Sequence, residues 1–138
     1  MKFPNWLSVY GSLEFRGDCP KEGMEQATFF NRLRSVYPSL GAIAIHPKNE
    51  AARSGKDFQM LAKDKALGMV SGASDIIIPA SPAFVCEIKR KDHTKCSWQK
   101  GQIPYLEAAK NEGAFACVAL GADAAWEALE TWLSLRNN

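Results

Sequence analysis

The chain has 138 residues, 46% apolar and 23% charged, which suits one soluble globular domain whose core needs no staples. No apolar run approaches the about 20 residues of a bilayer-spanning helix, and "MKFPNWLSVYGSLEF" lacks the continuous apolar stretch of a signal peptide, so a cytoplasmic protein without a membrane partner is expected. A net charge of +2, from 17 Lys+Arg against 15 Asp+Glu, does not by itself demand a nucleic-acid partner.

Residues 1–19 mix Phe3, Trp6, Tyr10 and Phe15 with Gly and Asp in no clear period, and read as a packed arm, an edge strand or a dimer element. From Pro20 the pattern sharpens. "PKEGMEQATFFNRLRSVYP" has acids in its first turn and stops at Pro38, and Gln26, Phe29, Phe30, Leu33 and Val36 share a face, predicting a helix over about 21–37. "GAIAIH" (41–46) reads as a short buried strand and "PKNEAARSG" as turn chemistry. Phe58, Leu61, Ala62 and Lys65 keep helical spacing up to Gly68.

A hairpin follows, with strand Asp75 to Ile78, turn "PASP" and strand Phe84 to Lys89. "SWQKGQIPYLEAAKNEG" predicts a helix that ends at Gly113, its regular part beginning near Ile103. "AFACVAL" reads as an apolar strand, and "ADAAWEALETWLSL" as an amphipathic helix with Trp126, Leu129 and Leu133 inward and Trp132 also at core spacing. This order predicts an α/β sandwich around a mixed sheet, with strand 115–120 returning parallel to strand 84–89.

Of the four cysteines, Cys86 and Cys117 sit in apolar runs as small hydrophobes, and no C-x-x-C pair suggests zinc. A surface pair of Cys19 with Cys96 stays open. "KRKDHTK" (Lys89 to Lys95) and Lys100 concentrate positive charge after the second hairpin strand; such a run is usually a solvated loop. His93 within it is expected to be exposed, and His46 to lie at a strand end.

The hairpin carries the chemical signal. Alternation puts Phe84, Cys86 and Ile88 on a core face and Val85, Glu87 and Lys89 on the other. If Ile78 opposes Phe84, Asp75 falls opposite Glu87, two carboxylates whose Cβ atoms would stand roughly 5 Å apart. Lys89 relieves part of that repulsion, and a hard divalent cation with oxygen ligands such as Mg²⁺ relieves it better. For E-x-K alone, a buried Glu87–Lys89 ion pair is the plainer reading; Asp75 across the turn, just after "SG", favours a site.

"SGASD" followed by "CEIK" resembles the G-x-x-D…E-x-K core of the PD-(D/E)xK nuclease superfamily, most closely its VRR-Nuc branch with stand-alone phage members. "PKEGMEQATFF…VYP", "IHPKNEAARS", "LGMVSGASD" and "GQIPYLEAAKNEGAFACVAL" are similar to further stretches of that branch, so the resemblance spans about Lys21 to Leu129. Ser74 replaces the usual proline before the aspartate, and "HPKNE" carries an inserted lysine. The resemblance implies a restriction-endonuclease-like α/β sandwich over 20–138 and a homodimer, whose partner surface the aromatic-rich arm 1–19 would suit. It implies that Asp75, Glu87 and the carbonyl of Ile88 ligate Mg²⁺, for which Mn²⁺ would substitute, and that Lys89 orients the attacking water. Glu22, four residues before Gln26, would complete the ligands, with Glu25 as runner-up; Gln102 fits the helix glutamine, with Gln99 competing. Lys48, Asn49, Arg53, Lys91 and Lys95 are candidates for phosphate contacts.

The expected activity is metal-dependent hydrolysis of phosphodiester bonds in branched DNA, in the manner of a homodimeric Holliday-junction resolvase from a phage or prophage. Alternatives are a nicking or non-specific endonuclease of the same fold, and a non-catalytic DNA-binding accessory. The accessory would have no need of Asp75, Glu87 and Lys89 together.

Overall fold

The computed structural model describes residues 1–47 and 57–137. Lys48, Asn49 and Arg53 lie outside the described residues. The elements in chain order are β1 (Ser8–Tyr10), α1 (Glu22–Val36), α2 (Pro38–Gly41), α3 (Asp57–Ala66), β2 (Ile76–Ile78), β3 (Phe84–Lys89), α4 (Gln102–Asn111), β4 (Phe115–Leu120) and α5 (Ala122–Arg136).

The sheet order is β1-β4-β3-β2. β2 pairs antiparallel with β3, Ile78 opposite Phe84 and Ile76 opposite Cys86, the register predicted from the turn. The α4 crossover then lets β4 return parallel to β3, Phe115 opposite Phe84. β3 is buried along its whole length, so its two faces meet different layers. Phe84, Cys86 and Ile88 join Phe29, Leu33, Trp126, Leu129 and Trp132 in the larger core beneath α1 and α5. Val85 joins Leu106, Val118 and Leu7 in a second core beneath α4. Trp132 is fully buried against Phe84, ring centroids 5.4 Å apart, and donates its indole N–H to the Pro82 carbonyl at 2.9 Å. The turn is thereby tied to α5.

The arm is part of this architecture. β1 pairs parallel with β4, making the arm an edge strand, and Phe3, Trp6 and Val9 pack on the second core. "GAIAIH" departs from expectation. Pro38 ends α1 but opens a further helical turn, in which Gly41, Ala42 and Ala44 donate to Tyr37, Pro38 and Leu40. Those N–H groups are then lost to a sheet. Ile45 alone pairs, exchanging two 2.9 Å bonds with Ile77, and Ile43 and Ile45 stay largely exposed.

The basic run also differs from a solvated loop. Asp92 accepts from Gly17 N–H at 2.9 Å and from the Thr94 N–H and hydroxyl at 3.0 and 2.6 Å. His93, expected in solvent, is buried at 9% exposure, with Nε2 donating to the Leu13 carbonyl at 3.0 Å and Phe3 edge-on at 5.4 Å. Arg90 donates to the carbonyls of Cys19 and Pro20. Much of "RKDH" therefore fastens residues 13–20. All four cysteines are free, which answers the Cys19–Cys96 question. No helix among the described residues is long and apolar enough to cross a membrane.

Hydrogen bonds from the Thr94 hydroxyl and Gly17 hold the Asp92 carboxyl down at about 2, against an ordinary 3.8. Since the folded value is depressed, its stabilisation is complete above about pH 4 and disappears as pH falls towards 2. Asp92→Ala should lower the urea midpoint at pH 7, with the gap to the parent narrowing between pH 4 and pH 3; a gap independent of pH would contradict this role for the carboxylate.

Candidate active site

Alternation along β3 turns Glu87 and Lys89 towards the N-terminus of α4, where Gln102 meets both. Gln102 Nε2 donates to Glu87 Oε1 at 2.8 Å, and Gln102 Oε1 accepts from Lys89 Nζ at 2.9 Å and from Gln99 N–H at 2.8 Å. The amide orientation follows from chemistry, because the opposite one would face –NH₂ towards two donors. Lys89, 1% exposed, also donates to the Ser97 carbonyl at 2.8 Å and lies 3.5 Å from Glu22 Oε1. Its ammonium sits 5.2 Å from the centre of the Trp98 ring.

Asp75 stands one residue before β2, at the position the register places opposite Glu87. Its Oδ2 accepts from the Ile88 N–H at 2.9 Å. A strand residue sends its N–H and C=O to the same edge, so the Ile88 carbonyl also faces the side where Asp75 lies. His46 Nδ1 donates to the Asp75 carbonyl at 2.9 Å, a structural task at the end of the Ile45 bridge.

Among the described residues the buried Glu87 Oε2 has no hydrogen-bond donor, and Glu22 Oε1 has only the Lys89 ammonium, 3.5 Å away. Ionised Asp75 and Glu87 are both acceptors, so without a cation the pair is relieved by sharing a proton. Burial first, and the Asp75 charge second, push the Glu87 carboxyl up to about 10. Burial raises Glu22 as well, opposed mainly by Lys89. Among the described residues no three His, Cys, Asp or Glu side chains are already gathered at metal-binding distance. Asp75 and Glu87 form a pair, and Glu22 faces Lys89 instead. The donor set still fits a hard cation: oxygens alone, one of them buried and unpartnered on Glu87. Mg²⁺ commonly takes one or two carboxylates and completes its shell with water and substrate phosphate.

The paired candidates separate cleanly. Glu22 reaches the site, whereas Glu25 accepts from the Ala122 N–H and caps α5. Gly121 makes room for it, since a Cβ there would lie 2.5 Å from Glu25 Oε2. Gln102 bridges the site, and Gln99 supplies only its backbone N–H. Lys91 is exposed with its ammonium 4.5 Å from the Phe15 ring centre, and Lys95 lies 3.9 Å from Asp18. Sequence reasoning missed three residues: Ser97 and Trp98, which frame Lys89, and Arg90, which pins the arm leading to Glu22. No spacing rule marks the first two; Arg90 was hidden in the basic run.

One close approach aligns the two halves. Gly72, with φ +80°, packs on Gly101, and a Cβ on Gly72 would lie 2.1 Å from the Gly101 carbonyl carbon. This contact sets the loop leading to Asp75 against the start of α4, next to Gln102. Ser74, in that loop, is fully buried, and its hydroxyl has no hydrogen-bond partner among the described residues.

Fold and site together define a restriction-endonuclease-like α/β domain with an acid pair and a lysine on neighbouring strands. Among solved structures, a VRR_NUC domain protein shares this fold at a TM-score of 0.65 and 19% identity, the alignment covering 88% of this chain and 93% of that one. No protein-family model matches the chain, and no curated protein does.

Two outcomes are expected. Gly72→Ala meets both a positive φ and backbone overlap, and should cost about 2–3 kcal/mol in urea unfolding; a neutral effect would mean that the Gly72–Gly101 contact is not needed. Folded Glu87 keeps a proton that the unfolded chain releases between about 4.5 and about 10, so metal-free stability falls as pH rises through that window. In EDTA, Glu87→Gln should gain stability relative to the parent progressively from pH 5 to pH 9; parallel pH profiles would refute the raised carboxyl.

Proposed function

We propose that this protein is a Mg²⁺-dependent, structure-selective DNA endonuclease of the VRR-Nuc type, acting as a homodimer on four-way junctions in a phage-infected or prophage-bearing cell. The observation that carries the reading is the Asp75–Glu87 pair beside Lys89, with a buried Glu87 oxygen that no donor among the described residues satisfies. The fold shared with a VRR_NUC domain protein supports a nuclease and DNA as its substrate.

In this reading Asp75, Glu87 and the Ile88 carbonyl hold the cation, with Glu22 joining from α1. When bound, it supplies Lewis-acid polarisation of a phosphoryl oxygen and a lowered pKa for coordinated water. The protein's own residues set the rest. Lys89 offers a fixed positive charge where the phosphoryl oxygens gain negative charge, its own side chain almost wholly buried. Gln102 keeps that ammonium from collapsing onto Glu87 by taking one partner on each end of its amide. The exposed Lys91 and Lys95 would contact backbone phosphates, fixing position without reading sequence.

The test compares the parent with Asp75→Asn and Lys89→Ala on four-way junctions, flaps, linear duplex and single strands, with Mg²⁺ and with EDTA. Symmetric junction nicking by the parent is expected, abolished by EDTA and reduced at least about 100-fold in each variant. Equal cutting of linear duplex would remove the junction preference, and unchanged cleavage by the variants would overturn the site. Light scattering should give twice the monomer mass.

A further inference from the structure

The cradle around Lys89 extends beyond the nuclease core. Ser97, Trp98 and Gln99 lie in the extended segment between the turn His93–Lys95 and α4. From it the Ser97 carbonyl accepts from Lys89 Nζ, the Trp98 ring faces the same ammonium, and the Gln99 N–H orients Gln102. Trp98 is in turn held by the arm: its Nε1–H donates to the Lys2 carbonyl at 2.7 Å, and Phe3 meets its ring edge-on at 6.0 Å. Phe3 also meets buried His93, which holds Leu13.

A lysine side chain has four rotatable bonds, so its ammonium stays in one place only if every other direction is closed. Glu22, the Ser97 carbonyl and Gln102 offer it oxygen partners, and the Trp98 ring stands against it within cation–π range. A ring face attracts the cation without neutralising it, so the Trp98 side holds the ammonium and adds no counter-charge to that of Glu22.

We propose that Trp98 is a positioning residue for the proposed nuclease reaction, holding the Lys89 ammonium through its ring face while the N-terminal arm holds the ring. This rests on Lys89 serving phosphodiester hydrolysis, and it assigns residues 1–3 a role in the site. It predicts an effect on turnover and little effect on substrate binding, because the ring acts through Lys89.

The experiment measures kcat and KM on a four-way junction and on a flap with Mg²⁺, for full-length parent, Trp98→Leu, Trp98→Phe and Lys89→Ala, with circular dichroism to confirm folding. Trp98→Leu should lower kcat about 10-fold with KM within about twofold, and Trp98→Phe, which keeps a ring face, should recover most of the loss. The double variant Trp98→Leu/Lys89→Ala should be no slower than Lys89→Ala alone, as expected if the ring works only through the lysine. A raised KM with unchanged kcat would make Trp98 a substrate-binding residue and overturn the proposal, as would additive losses in the double variant. Should Trp98→Leu fail to fold, Trp98→Met, which also removes the ring face, takes its place in the cycle with Lys89→Ala, and additive losses there overturn the proposal equally. Lys89→Ala matching the parent would instead sink the nuclease reading itself.

Discussion

The interaction on which the site depends is the bridge that Gln102 makes between Glu87 and Lys89. Both lie on one face of β3, almost wholly buried. A primary amide has a donor end and an acceptor end, so it satisfies the carboxylate and the ammonium while keeping them apart. Leaving a buried donor or acceptor of this network unsatisfied costs about 1–3 kcal/mol, which ties the fold's stability to the integrity of the bridge. The bridge leaves Glu87 Oε2, beside Asp75, without a donor among the described residues.

The placement of Gln102 has its own cause. α4 begins at Gln102 because Gly101 takes a left-handed backbone that Gly72 packs against. The same contact sets the loop whose next residues are Ser74 and Asp75. Acid and amide come from segments some thirty residues apart, yet their relative position is set by two glycine backbones in contact. The buried Ser74 hydroxyl, without a partner, is a cost that the loop carries in this arrangement.

Charge in this chain is used differently from how it is distributed along the sequence. The basic run after β3 looks like a phosphate-binding surface, but Arg90 holds Cys19 and Pro20, and Asp92 and His93 hold Gly17 and Leu13. The arm so fastened leads into α1 and places Glu22 beside Lys89. Lys91 and Lys95 are the basic members of the run that remain exposed, each beside a residue of the arm. The run is therefore partly a surface and partly a clasp.

The hairpin was legible before any coordinates: period-two alternation, a short turn that sets register, and the repulsion of facing carboxylates are local properties, and β3 carries all of them within six residues. The helices α1, α4 and α5 were legible through apolar spacing and boundary residues, as was the parallel return of β4. "GAIAIH" was misread because an apolar run does not say whether its N–H groups are already spent on a helical turn. The choice of Glu22 over Glu25, and of Gln102 over Gln99, needed the fold, since each pair shares its chemistry and differs only in direction. The arm's strand, buried His93 and the seat of Trp98 depended on it entirely. The Trp98–Lys2 bond joins residues 96 positions apart in the sequence, and no local pattern encodes a contact that exists only after the sheet has formed.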